Sequence, residues 1–199
     1  MKSKVVLIGV GIVIGLAVLS GAWGIYQHGY QMHGSVINPP VRAADFSLID
    51  QNGVPYRLSD QLGKTVLLFF GYTHCPDECP GTLAQFKQIK QQIGNKAKGV
   101  EFVMITVDPA RDTAEQLRNY VPNFDPAFIG LTGSQVDLER VWQDYGVYVN
   151  PQPSDLQGNY AVEHNTRIYL IDQQGNWRVT YPYGMESSQI AEDLDHLIN

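Results

Sequence analysis

The chain has 199 residues and only two cysteines, Cys75 and Cys79, both within the stretch LLFFGYTHCPDECPGTLAQF, Leu67–Phe86. Two thiols four residues apart can do three kinds of chemistry. They can close a structural disulfide, cycle as a redox dithiol, or supply two ligands to a metal. A loop this small removes little unfolded-chain entropy, on the order of 2 kcal/mol, so stability alone is a weak reason for the pair. Redox enzymes of the thioredoxin type favour Cys-x-x-Cys at a helix start, where the dipole supports a thiolate. Here the spacing is Cys-x-x-x-Cys, and Asp77 and Glu78 between the sulfurs are expected to oppose thiolate formation. Cys75-Pro76-Asp77-Glu78 fits a peroxidase-like Cys-Pro-x-Glu, but Tyr72 stands where that chemistry uses Thr or Ser. A cation reverses the charge argument, since nearby carboxylates then help. A soft d10 ion such as Cu(I) takes thiolates and imidazole at low coordination number, so two sulfurs leave room for a histidine.

The elements that would position these groups alternate. Asp45–Lys64 reads as a hairpin turning at Asn52-Gly53. Thr65–Gly71 and Val100–Val107 are continuous apolar runs suited to strands buried on both faces. Between them Pro80–Ile93 carries a helical stripe of Leu83, Phe86, Ile89 and Ile93. Asp112 or Thr113 is expected to cap a helix running to about Tyr120, and Asp112 with Glu115 has capping-box spacing. Phe128–Leu131 reads as a short strand. Ser134–Tyr145 reads as a helix with Leu138, Val141, Trp142 and Tyr145 inward. Asn150–Tyr160, with Pro151, Pro153 and Gly158, reads as an excursion loop. Thr166–Ile171 and Trp177–Tyr181 form a second hairpin, and Glu186–Ile198 closes as an amphipathic helix. The pattern is α/β, a thioredoxin-like three-layer sandwich with an added N-terminal β-hairpin. Sites in such sheets gather at the carboxyl ends of the parallel strands. The thiol turn and the Asp108-Pro109-Ala110-Arg111-Asp112 loop both fall there.

Of the five histidines, His28, His74, His164, His196 and His33, one is placed by this topology. If Thr166–Ile171 runs antiparallel to Thr65–Gly71, His164 at its start overlies Cys75 and Cys79 and becomes the third donor. His74 and the acids Glu163, Asp77 and Asp108 are candidates to border or screen the site. His28, Met32 and His33 fall in a polar tether that could hold a metal transiently, and His196 reads as a solvated surface residue. Asp108 starting a turn and Asp112 capping a helix account for much of that loop without function.

Net charge is −6, so nucleic acid is a poor partner. Lys2 and Lys4 precede an uncharged run over residues 5–26, long enough to cross a bilayer. The expected organisation is a cytoplasmic N-terminus over residues 1–4, a membrane anchor over 5–26, a linker over 27–43 and the α/β domain over 44–199, with a signal cleaved near Ser20-Gly21-Ala22 as the alternative to the anchor. The positive-inside rule then sends the domain across a bacterial cytoplasmic membrane to the periplasm. Outside the cytoplasm a thiol pair oxidises unless something reduces it or a metal holds it.

Taken together, GYTHCPDECP, DPARDT and the later histidine before IYLID resemble the Sco (SenC) copper-binding proteins over roughly Asp45–Asn199. The resemblance implies a membrane-anchored metallochaperone that assists assembly of the binuclear copper centre of cytochrome c oxidase. Cys75, Cys79 and His164 match its ligands to one copper ion, Cu(I), with Cu(II) as a second state. Its partner would be the copper-centre subunit of that oxidase or another envelope copper protein. Glu163-His164-Asn165 departs from the usual Asp-His-Ser or Asp-His-Thr. Family members divide between copper delivery and thiol reduction. A thiol-disulfide reductase, the enzymatic reading, and a redox or copper sensor therefore stand as alternatives.

Overall fold

The computed structural model describes residues 30–156 and 158–198. The expected cytoplasmic end, the anchor over residues 5–26 and His28 lie outside them. Among the described residues no helix is long and apolar enough to cross a membrane.

The centre of the molecule is a parallel pair, β4 (Thr65–Gly71) and β5 (Val100–Thr106), in register from Thr65 against Val100 to Gly71 against Thr106. Every β4 residue is buried, which is why its sequence is apolar without alternation. The right-handed crossover expected of parallel neighbours is supplied by helix α1 (Glu78–Ile93), whose predicted stripe of Leu83, Phe86, Ile89 and Ile93 is buried. Phe86 meets Phe69 edge-on at 5.4 Å and Phe102 at 5.3 Å, so the helix packs on both strands through aromatic rings.

The sheet is completed by β1 (Ser35–Arg42), β2 (Ser47–Asp50), β3 (Pro55–Arg57), β6 (Ile129–Thr132), β9 (Arg167–Ile171) and β10 (Asn176–Pro182), in the order β1-β10-β9-β4-β5-β6-β2-β3. Helices α2 (Ala114–Tyr120), α3 (Gln135–Asp144) and α4 (Ser187–Leu197) join α1 around it. The N-terminal hairpin is β2–β3. Asp50 Oδ1 accepts from the Asn52 and Val54 amides at 2.8 Å each, and Gly53 takes the positive φ of 80° that the turn needs.

Some expectations are corrected. The linker over 27–43 is not free tether in its described part, because β1 pairs antiparallel with β10 at the sheet edge. An edge strand is held mainly by backbone bonds on one side and need not show an apolar period. The His33 amide donates to both carboxylate oxygens of buried Asp193, at 3.1 and 3.0 Å, and its ring meets Glu192 at 2.9 Å. Met32 packs against the core. The supposed excursion loop contains a strand, β7 (Val149–Pro151), which pairs with β8 (Val162–His164) as a separate two-stranded sheet. Helix α1 starts two residues before the predicted Pro80 and takes in Cys79. The cap of α2 is Thr113, whose Oγ1 accepts from the Gln116 amide at 3.2 Å, and not Asp112.

Candidate metal and thiol site

Cys79 is fully buried in the first turn of α1, pressed onto the end of β4. The Tyr72 amide reaches its sulfur at 3.4 Å, and a Cβ added at Gly71 would meet that sulfur at 2.9 Å. The small residue at 71 is thus what lets the thiol approach the strand. Cys75, half-exposed, stands just ahead of the helix. Both thiols are free.

Their chemistry is asymmetric. Cys79 donates to Cys75, and the amides of Asp77, Glu78 and Cys79 also point at the Cys75 sulfur, so its pKa falls to about 5. The bond to Cys75 and burial push the Cys79 thiol well up. The expectation that Asp77 and Glu78 oppose a thiolate holds at Cys79, which Glu78 helps to raise, but at Cys75 the Cys79 thiol and the first-turn amides outweigh it. The helix begins at Glu78, so Cys75 faces its exposed amides despite the longer spacing. Asp77 is exposed, and Glu78 Oε2 accepts from Thr166 Oγ1 at 2.6 Å, tying the helix start to the strand that follows His164.

Strand β9 does run antiparallel to β4, with Phe69 opposite Ile168. Continuing that register past the strand ends brings His164 opposite Thr73, two residues before Cys75. The ring is half-buried, edge-on to Tyr72 with centroids 5.9 Å apart. Its Nε2 lies 3.1 Å from the Phe70 carbonyl and its Nδ1 3.2 Å from the Val162 carbonyl. Which ring nitrogen carries a proton decides the donor role in each of these contacts. The Cys79 sulfur and the His164 ring thus touch neighbouring residues at the end of β4, Tyr72 and Phe70. Among the described residues, however, no three His, Cys, Asp or Glu side chains already form a metal cage. Two thiols and an imidazole make a donor set suited to a soft cation of low coordination number.

The remaining candidates divide. His74 is half-exposed, its Nδ1 3.1 Å from Thr73 Oγ1 and 4.0 Å from Asp112. Glu163, alternating with Val162 and His164 along β8, is exposed and accepts from Gln152 Nε2 at 3.2 Å, so it faces the loop rather than the sulfurs. Asp108 is 4% exposed and accepts from Tyr160 Oη at 2.7 Å and from Arg111 Nε. It lines a groove of about 450 Å³ together with Trp142, Tyr148 and Tyr160. His196 is exposed on α4.

Sequence reasoning missed the role of Tyr72 and understated Asp112. The Tyr72 hydroxyl bonds to Cys75 and accepts from the Val162 amide, so one side chain links the thiol to the histidine hairpin. Asp112, fully buried, accepts from the Thr73 amide at 3.1 Å, Thr73 Oγ1 at 2.6 Å and Thr106 Oγ1 at 2.7 Å, fixing the thiol turn to the end of β5. The only sequence signal for either was position, in the loops at the carboxyl ends of β4 and β5.

Comparison with known proteins bears on this arrangement. The SCO1/SenC family model matches residues 37–199. The mitochondrial SCO2 homolog of Bos taurus is 37% identical over 156 residues, 77% of this chain, and the match spans 59% of that relative's own length. The SCO2-like protein RP587 of Rickettsia prowazekii is 33% identical, covering 87% of this chain and 80% of its own. The copper-bound structure of Bradyrhizobium japonicum ScoI superposes with a TM-score of 0.73 at 35% identity, covering 79% of this chain and 99% of that one, and carries the same thioredoxin-like α/β fold.

Proposed function

This chain belongs to the SCO1/SenC family, and from that premise we propose that it is a metallochaperone binding one copper ion through Cys75, Cys79 and His164. The reading is supported by a hydrogen-bonded thiol pair and an imidazole that separately contact Tyr72 and Phe70, residues at the end of β4. The copper-bound relative at 35% identity supports copper as the cargo. Copper enters at half-exposed Cys75, already a thiolate at neutral pH, and the Cys79 proton leaves as the second sulfur binds. His164 completes the site by turning off the Phe70 carbonyl. Release to an acceptor, the copper-centre subunit of cytochrome c oxidase, proceeds by ligand exchange, with Cys75 leaving last because it alone of the sulfurs faces solvent. An oxidised Cys75–Cys79 pair cannot load copper and serves as the idle form. Residues 5–26 anchor the domain to a bacterial cytoplasmic membrane on its outer side, with copper shuttling as Cu(I) and Cu(II) as a second state.

A second reading has its own support. A low-pKa, half-exposed thiol beside a buried one is the asymmetry of a thiol-disulfide reductase, with Cys75 attacking and Cys79 resolving. His164→Ala separates the two. It is expected to weaken Cu(I) retention by the reduced protein at least about 10-fold, in the range seen when metal-site groups are removed, and to leave disulfide exchange within about twofold. Unchanged copper affinity would remove His164 from the site. Equal loss of both activities would assign the ring to the fold instead.

A further inference from the structure

Arg111 lies in the loop that turn chemistry explained, yet its side chain is only 19% exposed and is held on three sides. Its Nε donates to Asp108, and its guanidinium carbon sits 3.6 Å above the centre of the Tyr160 ring and 5.7 Å from that of Tyr72. Tyr160 Oη donates to the other oxygen of Asp108 at 2.7 Å, so one buried carboxylate fastens both the cation and the ring stacked on it. Tyr160 ends the excursion loop four residues before His164. Tyr72 is the ring against which His164 rests, and its hydroxyl receives the Val162 amide of the same hairpin. Arg111 therefore touches both the chain that carries the imidazole and the wall that the imidazole leans on.

We propose that Arg111, clasped by Asp108 and stacked on Tyr160, is a positioning residue that holds the β7–β8 hairpin so that His164 stays against Tyr72 at the end of β4, on the side of the Cys75–Cys79 turn. The physical basis is the hairpin's isolation. β7 and β8 pair with each other and not with the main sheet, so no ladder fixes their distance from β4. A desolvated guanidinium–aromatic stack closes that gap, and it is one a lysine cannot reproduce, because an ammonium lacks the planar face. The proposal rests on His164 being a copper ligand.

The test is a set of paired variants, with Cu(I) affinity measured by competition against a chelator on the purified reduced protein. Arg111→Lys keeps the charge on Asp108 and loses the stack. Tyr160→Leu removes the stack from the loop side without leaving the buried carboxylate uncompensated. Each is expected to lower affinity about 10-fold when His164 is present and by less than about twofold in the His164→Ala background. Tyr160→Phe, which keeps the ring, is expected to retain affinity within about threefold. In the metal-free protein, amide exchange should rise across residues 149–164 in both loss variants and stay unchanged in β4 and β5. Equal loss with and without His164 would overturn the proposal, as would no loss in either background. A silent His164→Ala would overturn the three-donor reading first and leave Arg111 no ligand to position. The single variant therefore tells the two failures apart.

Discussion

The thiol turn and the imidazole hairpin flank the proposed copper site but stand on different foundations. Thr73–Cys79 is fixed from beneath: fully buried Asp112 takes three hydrogen bonds from Thr73 and Thr106, and Cys79 is packed onto Gly71 and Tyr72. The hairpin, by contrast, is a two-stranded sheet of its own. It reaches the body through side chains: Tyr160 to Asp108, Asn165 to Gly146 and Tyr148, Tyr72 to Val162, and Glu78 to Thr166. The contrast suits a carrier. In the proposed carrier, thiol donors rooted beside β4 hold their geometry, while a histidine donor on a hairpin outside the main sheet can join or leave without breaking that sheet's ladder.

The comparison can be broken first at Cys75. Its folded pKa lies near 5, below the ordinary thiol value, so the thiolate is populated at neutral pH and is lost as pH falls through about 5. Alkylation of the reduced, metal-free protein, followed by mass, should therefore label Cys75 at a rate that is flat from pH 7 to 9 and falls steeply below about pH 5. Buried Cys79 should stay unlabelled. A rate that climbs toward pH 9 would mean that the Cys79 thiol and the amides of the first turn do not stabilise the thiolate. Next, Asp112→Ala should cost about 3 kcal/mol of unfolding free energy in a denaturant titration, since it orphans buried donors at Thr73 and Thr106. A loss below about 1 kcal/mol would show that the turn is not rooted there.

A finer cut is Tyr72→Phe, which keeps the ring against His164 and deletes only the hydroxyl between Cys75 and Val162. It should cost about 1 kcal/mol and raise exchange at the Val162 amide. No change at that amide would detach the thiol side from the hairpin. The smallest effect belongs to Glu163→Gln, because that side chain faces Gln152. Copper affinity should stay within about twofold, and a 10-fold fall would put Glu163 back at the site.

The legible parts of the fold were those whose side chains are buried in a repeating pattern. β4 was read to the residue, and the α1 stripe Leu83, Phe86, Ile89 and Ile93 was read in full, because burial on two faces or one stripe leaves a periodic imprint. β1 and β7 were not legible. Their pairing is made by backbone groups, which every residue carries, so Ser35–Arg42 looked like tether and Val149–Pro151 like loop. Of the proposed ligands, Cys75 and Cys79 stood out by scarcity and spacing, and His164 by the strand it precedes.

What the sequence by itself determined is the inventory and the order: one thiol pair after a buried strand, one histidine before an antiparallel one, and loops that meet at a shared edge. Only the tertiary structure decided which sulfur carries the charge, where the imidazole rests, and that Tyr72, Asp112 and Arg111 join the two halves. Covalent order limits which groups can come near one another. Hydrogen bonds, burial and ring stacking act across space, between residues as distant along the chain as Phe70 and His164, and they exist only once the chain has closed on itself.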